Sequence, residues 1–344
     1  MRFYDLKILN PAGKTTLHYT SYPGGLSGSS SGPSAFGVTP SALGVSGFNQ
    51  TPYDPGALNC RFDLLSYPQA TPMGASWITL EGVPQNILTN AGQFVGQQLI
   101  FKGGMGSGLP LANPQQAGLL VQGYVYQAFG NREGTQLDLT FLLLGSTYTI
   151  SNPGNIVLNW IAGTPLATAL QNTLKTAYPN ATIKMNISNI VLNHTEVHFC
   201  STLTGLAQLL SDITSTNIVI VANGTVITVT DNSFKPAMKQ LVFTDFIGQP
   251  MWIDLNTILV KTVLRADIQN GDHIRMPPGF QNVPGFVQTA AQATTGGINY
   301  VSAIQGDFVV NEGIRHVGDF RQPSGHAWCS IIRAAALTSG TTTQ

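Results

Sequence analysis

MWIDLNTILVKTVLRADIQNGDHIRM, residues 251–276, is the stretch on which the fold turns. It contains two strands split by ADIQNGD (266–272), a turn carrying Asn270-Gly271-Asp272. Gly and Asn tolerate the backbone angles a tight turn demands, so a polar break between apolar runs marks a change of strand. Onward from it, Gly296-Gly297 is a further break. GDFVVNEGIRHVGD (306–319) and HAWCSIIRAAA (326–336) then form a terminal strand pair, and LTSGTTTQ is a polar tail. Residues 236–335 are therefore expected to be β throughout, with 336–344 as the tail.

The preceding stretch, 151–235, has a different rhythm. IVLNWIAGTPLATALQNTLKTAYP (156–179) predicts a helix beginning near Thr164, with Pro165 at its first position. Leu166, Leu170 and Leu174 recur at four-residue spacing and give it one apolar stripe. ATIKMNISNIVL (181–192) is strand-like. LTGLAQLLSDIT (203–214) predicts a second helix with Leu203, Leu206, Leu209, Leu210 and Ile213 on one face. In NIVIVANGTVITVTD (217–231), two β-branched runs surround Asn223-Gly224, the pair favoured in a two-residue hairpin turn. Together these make a compact α+β module.

Residues 1–150 return to β structure. FYDLKIL and TTLHYTS flank the turn NPAGK as an opening hairpin, followed by a Gly-, Ser- and Pro-rich arm over 22–56. LNCRFDLLSY, SWITLEGV, QQLIFKGG, LLVQGYVYQAF and TQLDLTFLLL are further strands, with a short turn near QNILTNA and a loop at 104–118. The fold class expected is mainly β with an α+β insertion.

Composition narrows the function. The 344 residues hold 16 Lys and Arg against 16 Asp and Glu, 9% charged and net zero, where globular chains carry roughly 25%. Surface charge and a net charge away from zero keep proteins apart in solution. A neutral surface of amides and hydroxyls is instead suited to contact with other protein surfaces, so the chain is expected to work inside a large assembly. Hydrophobic content of 43% is enough for real cores. Three distant cysteines (Cys60, Cys200, Cys329) give no disulfide framework. Sequons at Asn49, Asn180, Asn186, Asn193 and Asn223 read as chance triplets, since the N-terminus lacks the apolar core of a signal peptide. No apolar run approaches the ~20 residues of a membrane span.

Few motifs point to chemistry. Gly28-Ser29-Ser30-Ser31-Gly32 matches G-x-S-x-G in letters but lies in the arm, without the flanking strand and helix of a nucleophile elbow. GGMGSG (103–108) lacks phosphate-loop spacing. In His194-Thr195-Glu196-Val197-His198-Phe199-Cys200, alternation along a strand puts four metal-ligand types on one face. Neighbours on that face lie about 7 Å apart, so His194 and Cys200 cannot share an ion, and the expectation is a polar strand face. Asp245, Asp254, Asp267, Asp272, Asp307 and Asp319 sit mostly at strand ends and turns, with no acid–base pair. No basic stripe with interleaved aromatics marks a nucleic-acid surface. No catalytic residue, metal site or cofactor is expected, and the chain is read as no enzyme.

Several segments taken together resemble the central baseplate hub proteins of bacteriophage tails, including the Mu-like hubs. TPLATALQNTLKTAYPNATIKM with the second helix and hairpin is similar to the family's insertion module. FIGQPMWIDLNTILVKTVLRADIQNGDHIRMP is similar to its Ile-Gly-x-Pro turn, strand, Gly-Asp turn and strand. GDFVVNEGIRHVGDFRQPSGHAWCSIIRA is similar to its closing hairpin, here carried by His316, Gly318, Asp319 and Trp328. PGALNCRFDLLSYPQATPMGASWITLEGV and GMGSGLPLANPQQAGLLVQGYVYQAFGN resemble the first domain of prophage baseplate proteins.

The resemblance implies two tail-tube-like β-barrels, 1–150 and 236–335, flanking the 151–235 insertion. Three subunits would form a pseudo-sixfold ring that adapts a sixfold tail tube to a threefold spike and lines the DNA channel. Implied partners are two sister copies, tube, spike and other baseplate subunits, with a tape measure protein possible, DNA passing without sequence-specific binding, and no membrane. The implied location is the virion, after assembly in the host cytoplasm. The alternatives are a tail-borne cell-wall hydrolase, a hexameric distal-tail adaptor, and a receptor- or glycan-binding module suggested by Trp77 and Trp252.

Overall fold

The computed structural model describes residues 2–21, 56–66, 76–105, 116–145, 154–223, 225–231, 233, 237–254, 257–278, 304, 306–310 and 313–336. Most of the arm at 22–56, Gly28–Gly32, Asn49, Gly224, Gly296-Gly297, the loop 106–115 and the tail after Ala336 lie outside them.

The chain is mainly β. Its first strands are β1 (Arg2–Leu9), β2 (Thr15–Thr20), β3 (Asn59–Ser66), β4 (Ser76–Glu81), β5 (Gln98–Met105), β6 (Gly118–Glu133) and β7 (Gln136–Leu144). Alternation appears where expected: in β3, Cys60, Phe62 and Leu64 are buried between less buried neighbours. The turn expected near QNILTNA is a short helix, α1 (Gln85–Thr89).

The second part begins with β8 (Ile156–Trp160), α2 (Leu166–Ala177), β9 (Thr182–Asn186), β10 (Glu196–Cys200), α3 (Leu203–Thr214), β11 (Val219–Asn223) and β12 (Val226–Thr230). Pro165 is the cap of α2 and not its first residue: its backbone is extended, at φ −60° and ψ 137°. Leu166, Leu170 and Leu174 are all fully buried. Thr202 caps α3, its hydroxyl accepting from the Gly205 N–H at 3.0 Å. β11 and β12 pair from Asn223↔Val226 outward as the predicted hairpin, and β12 also runs parallel to β9. A separate core of Trp160, Leu158, Leu170, Leu206, Leu210 and Ile227 fills this part.

The last part holds β13 (Lys239–Gln240), β14 (Met251–Trp252), β15 (Thr257–Val263), β16 (His273–Met276), β17 (Gly306–Val309), β18 (Ile314–Asp319) and β19 (Trp328–Ala336). Gly248 and Gly271, at φ +87° and +90°, hold turns that a residue with a Cβ would strain.

Two separate barrels were expected from the first and last parts. Among the described residues no closed barrel is detected, and strands of both parts are joined in one fourteen-stranded sheet. The physical reason is β18, which has partners on both edges: β19 on one side and β3 on the other. Strand β3 then continues through β4, β7, β6, β5 and β1 to β2. The cores follow the same logic. Leu264, Ala266 and Trp328 from the last part are buried in the cluster of Tyr4, Phe62, Phe101 and Phe141. A third cluster, with Ile258, Ile274, Phe308 and Ile332, belongs to the last part alone.

Candidate assembly surfaces

The closing-hairpin residues lie at the seam where β18 meets β3. Gly318 pairs with Phe62, and a Cβ on it would approach the ring carbons to 2.2 Å. The Trp328 indole packs edge-on against the same ring at 5.1 Å and donates from Nε1 to the Gly104 carbonyl at 3.1 Å. Arg2 lies over the Trp328 ring, its guanidinium carbon 5.8 Å from the centroid. Its Nη1 donates to the carbonyls of Asp319, at 3.0 Å, and Gln322; its Nη2 donates to Ser324 at 2.5 Å. Residues 2 and 319–324 are thus clamped together. The motif is a packing device: each residue has a partner that explains its type, and none points to a reaction.

A buried polar chain backs the seam. Arg265 binds Asp245 through Nη1 at 2.9 Å and Asp267 through Nε and Nη2, both at 2.7 Å. Asp245 also accepts from the Gln116 side-chain amide at 2.7 Å and from the Val242 N–H at 3.0 Å. Burial alone disfavours a charged Arg265, but the two carboxylates outweigh it and raise the guanidinium further above its ordinary range. The Arg265 N–H donates to Ser330 Oγ at 2.9 Å, and that oxygen lies 2.8 Å from His316 Nδ1. His316 is buried and holds its pKa down at about 4, because no water solvates the imidazolium there.

Several of the remaining charges pair with one another within the chain. Arg315 reaches from β18 to Asp63 on β3 with two bonds, 2.8 and 2.5 Å. Arg275 does the same to Asp307 at 2.6 and 2.8 Å, and Lys239 meets Asp272 at 2.6 Å. Arg61 Nε lies 2.5 Å from Glu81 Oε1, an ion pair without hydrogen-bond alignment. A chain already poor in charge thus places three of its ion pairs across neighbouring strands.

The His194 to Cys200 group divides. Glu196 is held between two imidazoles, His194 Nε2 at 2.9 Å and His198 Nε2 at 2.5 Å, which keep its carboxyl below the usual range. Cys200 lies apart, buried in the core of the second part. No group of three His, Cys, Asp or Glu side chains placed to hold a metal ion occurs among the described residues. Asp245, Asp267, Asp272 and Asp307 are in ion pairs, as above, and Asp319 O and Oδ1 accept from Arg2 and the Arg321 N–H. Trp252 packs against Phe308 at 6.0 Å, and Trp77 lies on β4 between Asp63 and Leu142.

Sequence reasoning missed the other face of β10. Val197 and Phe199 alternate with Glu196 and His198, so they point to the opposite side, where Phe199 pairs with Val157 of β8. Ile161 continues that face one step past β8. The segment holding Val191 runs alongside, since the Gly163 N–H donates to the Leu192 carbonyl at 2.8 Å. Val157, Ile161, Val191, Val197 and Phe199 are 46–66% exposed. The signal is present in the sequence as Val197-x-Phe199 interleaved with Glu196 and His198.

No protein-family model matches the chain, and no curated protein does. Among solved structures, the crystal structure of the tail protein from Neisseria meningitidis MC58 is similar in fold. It has a TM-score of 0.50, 8% identity, and covers 97% of this chain and 96% of that one. The 43 kDa tail protein of prophage MuSo2 from Shewanella oneidensis has a TM-score of 0.48 at 9% identity, over 97% and 98% of the two chains. A type VI secretion system component from E. coli, described as similar to T4 bacteriophage tail proteins, also has 0.48 at 9% identity, over 82% and 74%. At such identities the first likeness establishes the fold and nothing more.

Proposed function

We propose that the chain is a structural subunit of a phage-type tail, the central hub of its baseplate. Three copies form a ring that joins the sixfold tube to the threefold spike and surrounds the path of DNA. The observation that carries this is the end-to-end fold match to a bacterial tail protein, over 97% of this chain at 8% identity. Two physical features support it. One hydrogen-bonded sheet joins described strands of 1–150 to described strands of 236–335, while 151–235 forms an inserted module with its own core. Several charges are paired within the chain, and a surface poor in charge can meet sister subunits, tube and spike with few ions to desolvate. Among the described residues no side-chain constellation points to a reaction; the role proposed is structural, in the virion tail.

Mass photometry of the purified chain tests this. A species of three times 36.6 kDa is expected; a stable hexamer would favour a distal-tail adaptor and contradict the hub. A peptidoglycan zymogram should stay blank. A clearing zone abolished by Glu196→Gln or His198→Ala would replace the structural reading with a hydrolase.

A further inference from the structure

The inserted module is fastened to itself more firmly than to the rest of the chain. Among the described residues none of its strands pairs with the fourteen-stranded sheet: β8 and β10 form one small sheet, and β9, β11 and β12 another. Its core of Trp160, Leu170, Leu206 and Ile227 shares no residue with the clusters that fill the first and last parts. Both of its ends turn inward. Where the chain enters, the Gly154 N–H donates to the Ser201 carbonyl at 2.8 Å. Where it leaves, the Asp231 carboxylate accepts from the N–H and hydroxyl of Ser188, at 2.7 and 2.5 Å, and from those of Ser233, at 2.9 and 2.6 Å. Among the described residues no ion pair crosses between 154–233 and the rest of the chain.

The contact with the sheet is narrow. Gln122 on β6 donates from Nε2 to Thr225 Oγ1, at the turn between β11 and β12, over 3.0 Å. Val221 and Ala222 of β11 line the contact together with Leu65, Val121 and Gly145, and a cavity of about 30 Å³ remains between them. A water molecule needs roughly 10–15 Å³, so the gap has room for about one or two waters, in a contact that a protein interior would close-pack. Parts of one chain joined by a small contact move relative to each other unless a large apolar interface holds them. We propose that the described residues of 154–233 form a rigid arm that pivots on this contact while the fourteen-stranded sheet stays fixed. Gln122 and Thr225 are the latch of the docked position. The motion lies within one chain and goes beyond the tail reading, since it holds or fails whatever the chain assembles with.

Distances between pairs of spin labels test it. Cys60, Cys200 and Cys329 are buried and stay unlabelled, while Gln93, Gln171 and Gln208 are exposed. Labels at Gln171→Cys on α2 and Gln93→Cys beside α1 span arm and sheet; labels at Gln171→Cys and Gln208→Cys on α3 lie within the arm. Labelled chains are diluted into excess wild type, so that only distances within one chain are read. The spanning pair should give a broad distribution and the pair within the arm a narrow one. Gln122→Leu should shift the spanning distribution further from the docked distance and leave the other pair and the circular dichroism unchanged. A spanning distribution as narrow as the one within the arm overturns the pivot. A distribution within the arm as broad as the spanning one overturns the rigid arm, and a Gln122→Leu spanning distribution identical to that of the unaltered latch overturns the latch. None of these outcomes alters the oligomer mass that tests the hub, so the two readings fail separately.

Discussion

Gly318 lies against the face of Phe62 so closely that a Cβ would sit 2.2 Å from two ring carbons. That contact joins β18 to β3, whose pairing of residues 314–319 with 61–66 makes one sheet of the first and last parts. Gly318→Ala should therefore destabilise the chain by roughly 1–3 kcal/mol through overpacking. Gly92→Ala, where nothing lies within 4 Å, should change stability by less than ~0.5 kcal/mol. Thermal unfolding followed by circular dichroism separates the two, and equal effects would show that the seam is not tight.

Arg265 should behave as a buried charge with two dependants. It is 5% exposed and Asp245 is 4% exposed. Arg265→Met leaves Asp245 without its cation and should cost roughly 3–5 kcal/mol. Adding Asp245→Leu should recover part of that loss, although the Val242 cap and the Gln116 bond go with it. Denaturant titration of both variants gives the comparison. A double variant no more stable than the single one would show that the network, and not the lone charge, carries the cost.

His316 makes stability depend on pH in a definite direction. Its folded value of about 4 lies below the ordinary 6.5. Above pH 6.5 the ring is neutral in both states, and its contribution is fully present. As pH falls below 6.5 the unfolded chain takes up the proton first, so stability declines until the folded state also protonates near pH 4. The loss amounts to roughly 3 kcal/mol. In urea titrations at pH 7 and pH 4.5, His316→Gln should lose less stability than wild type over that interval. Equal losses would place the acid sensitivity elsewhere.

Arg2 should be replaceable by neither alanine nor lysine. Its guanidinium serves carbonyls at 319, 322 and 324 at once while covering Trp328. One ammonium cannot span that set. Both variants should speed hydrogen exchange at residues 319–324 and lower stability by about 1–2 kcal/mol. Full protection in Arg2→Lys would mean that charge alone holds the turn.

Local order was legible in the sequence. The Leu166, Leu170 and Leu174 stripe, the α3 face and the Asn223-Gly224 hairpin all rest on contacts within a few residues, where periodicity and turn chemistry act. The seam was not legible. Nothing in the alternation of residues 314–319 says that one edge pairs with 328–332 and the other with 61–66, because period two specifies faces and not partners. The His316, Gly318, Asp319 and Trp328 pattern was visible, but its physical cause lies in Phe62, Arg2, Gly104 and Ser330, scattered over the whole chain. The apolar face of β10 was hidden for a simpler reason: strand alternation was applied to the histidine face and not to its reverse.

The central claim, that the chain is the hub of a tail baseplate, is tested most directly on particles. Gold labelling of a tagged copy, imaged by negative stain, should place the label at a single position where tube meets spike. Label spread along the tube, label on peripheral fibres, or particles without label would contradict the account.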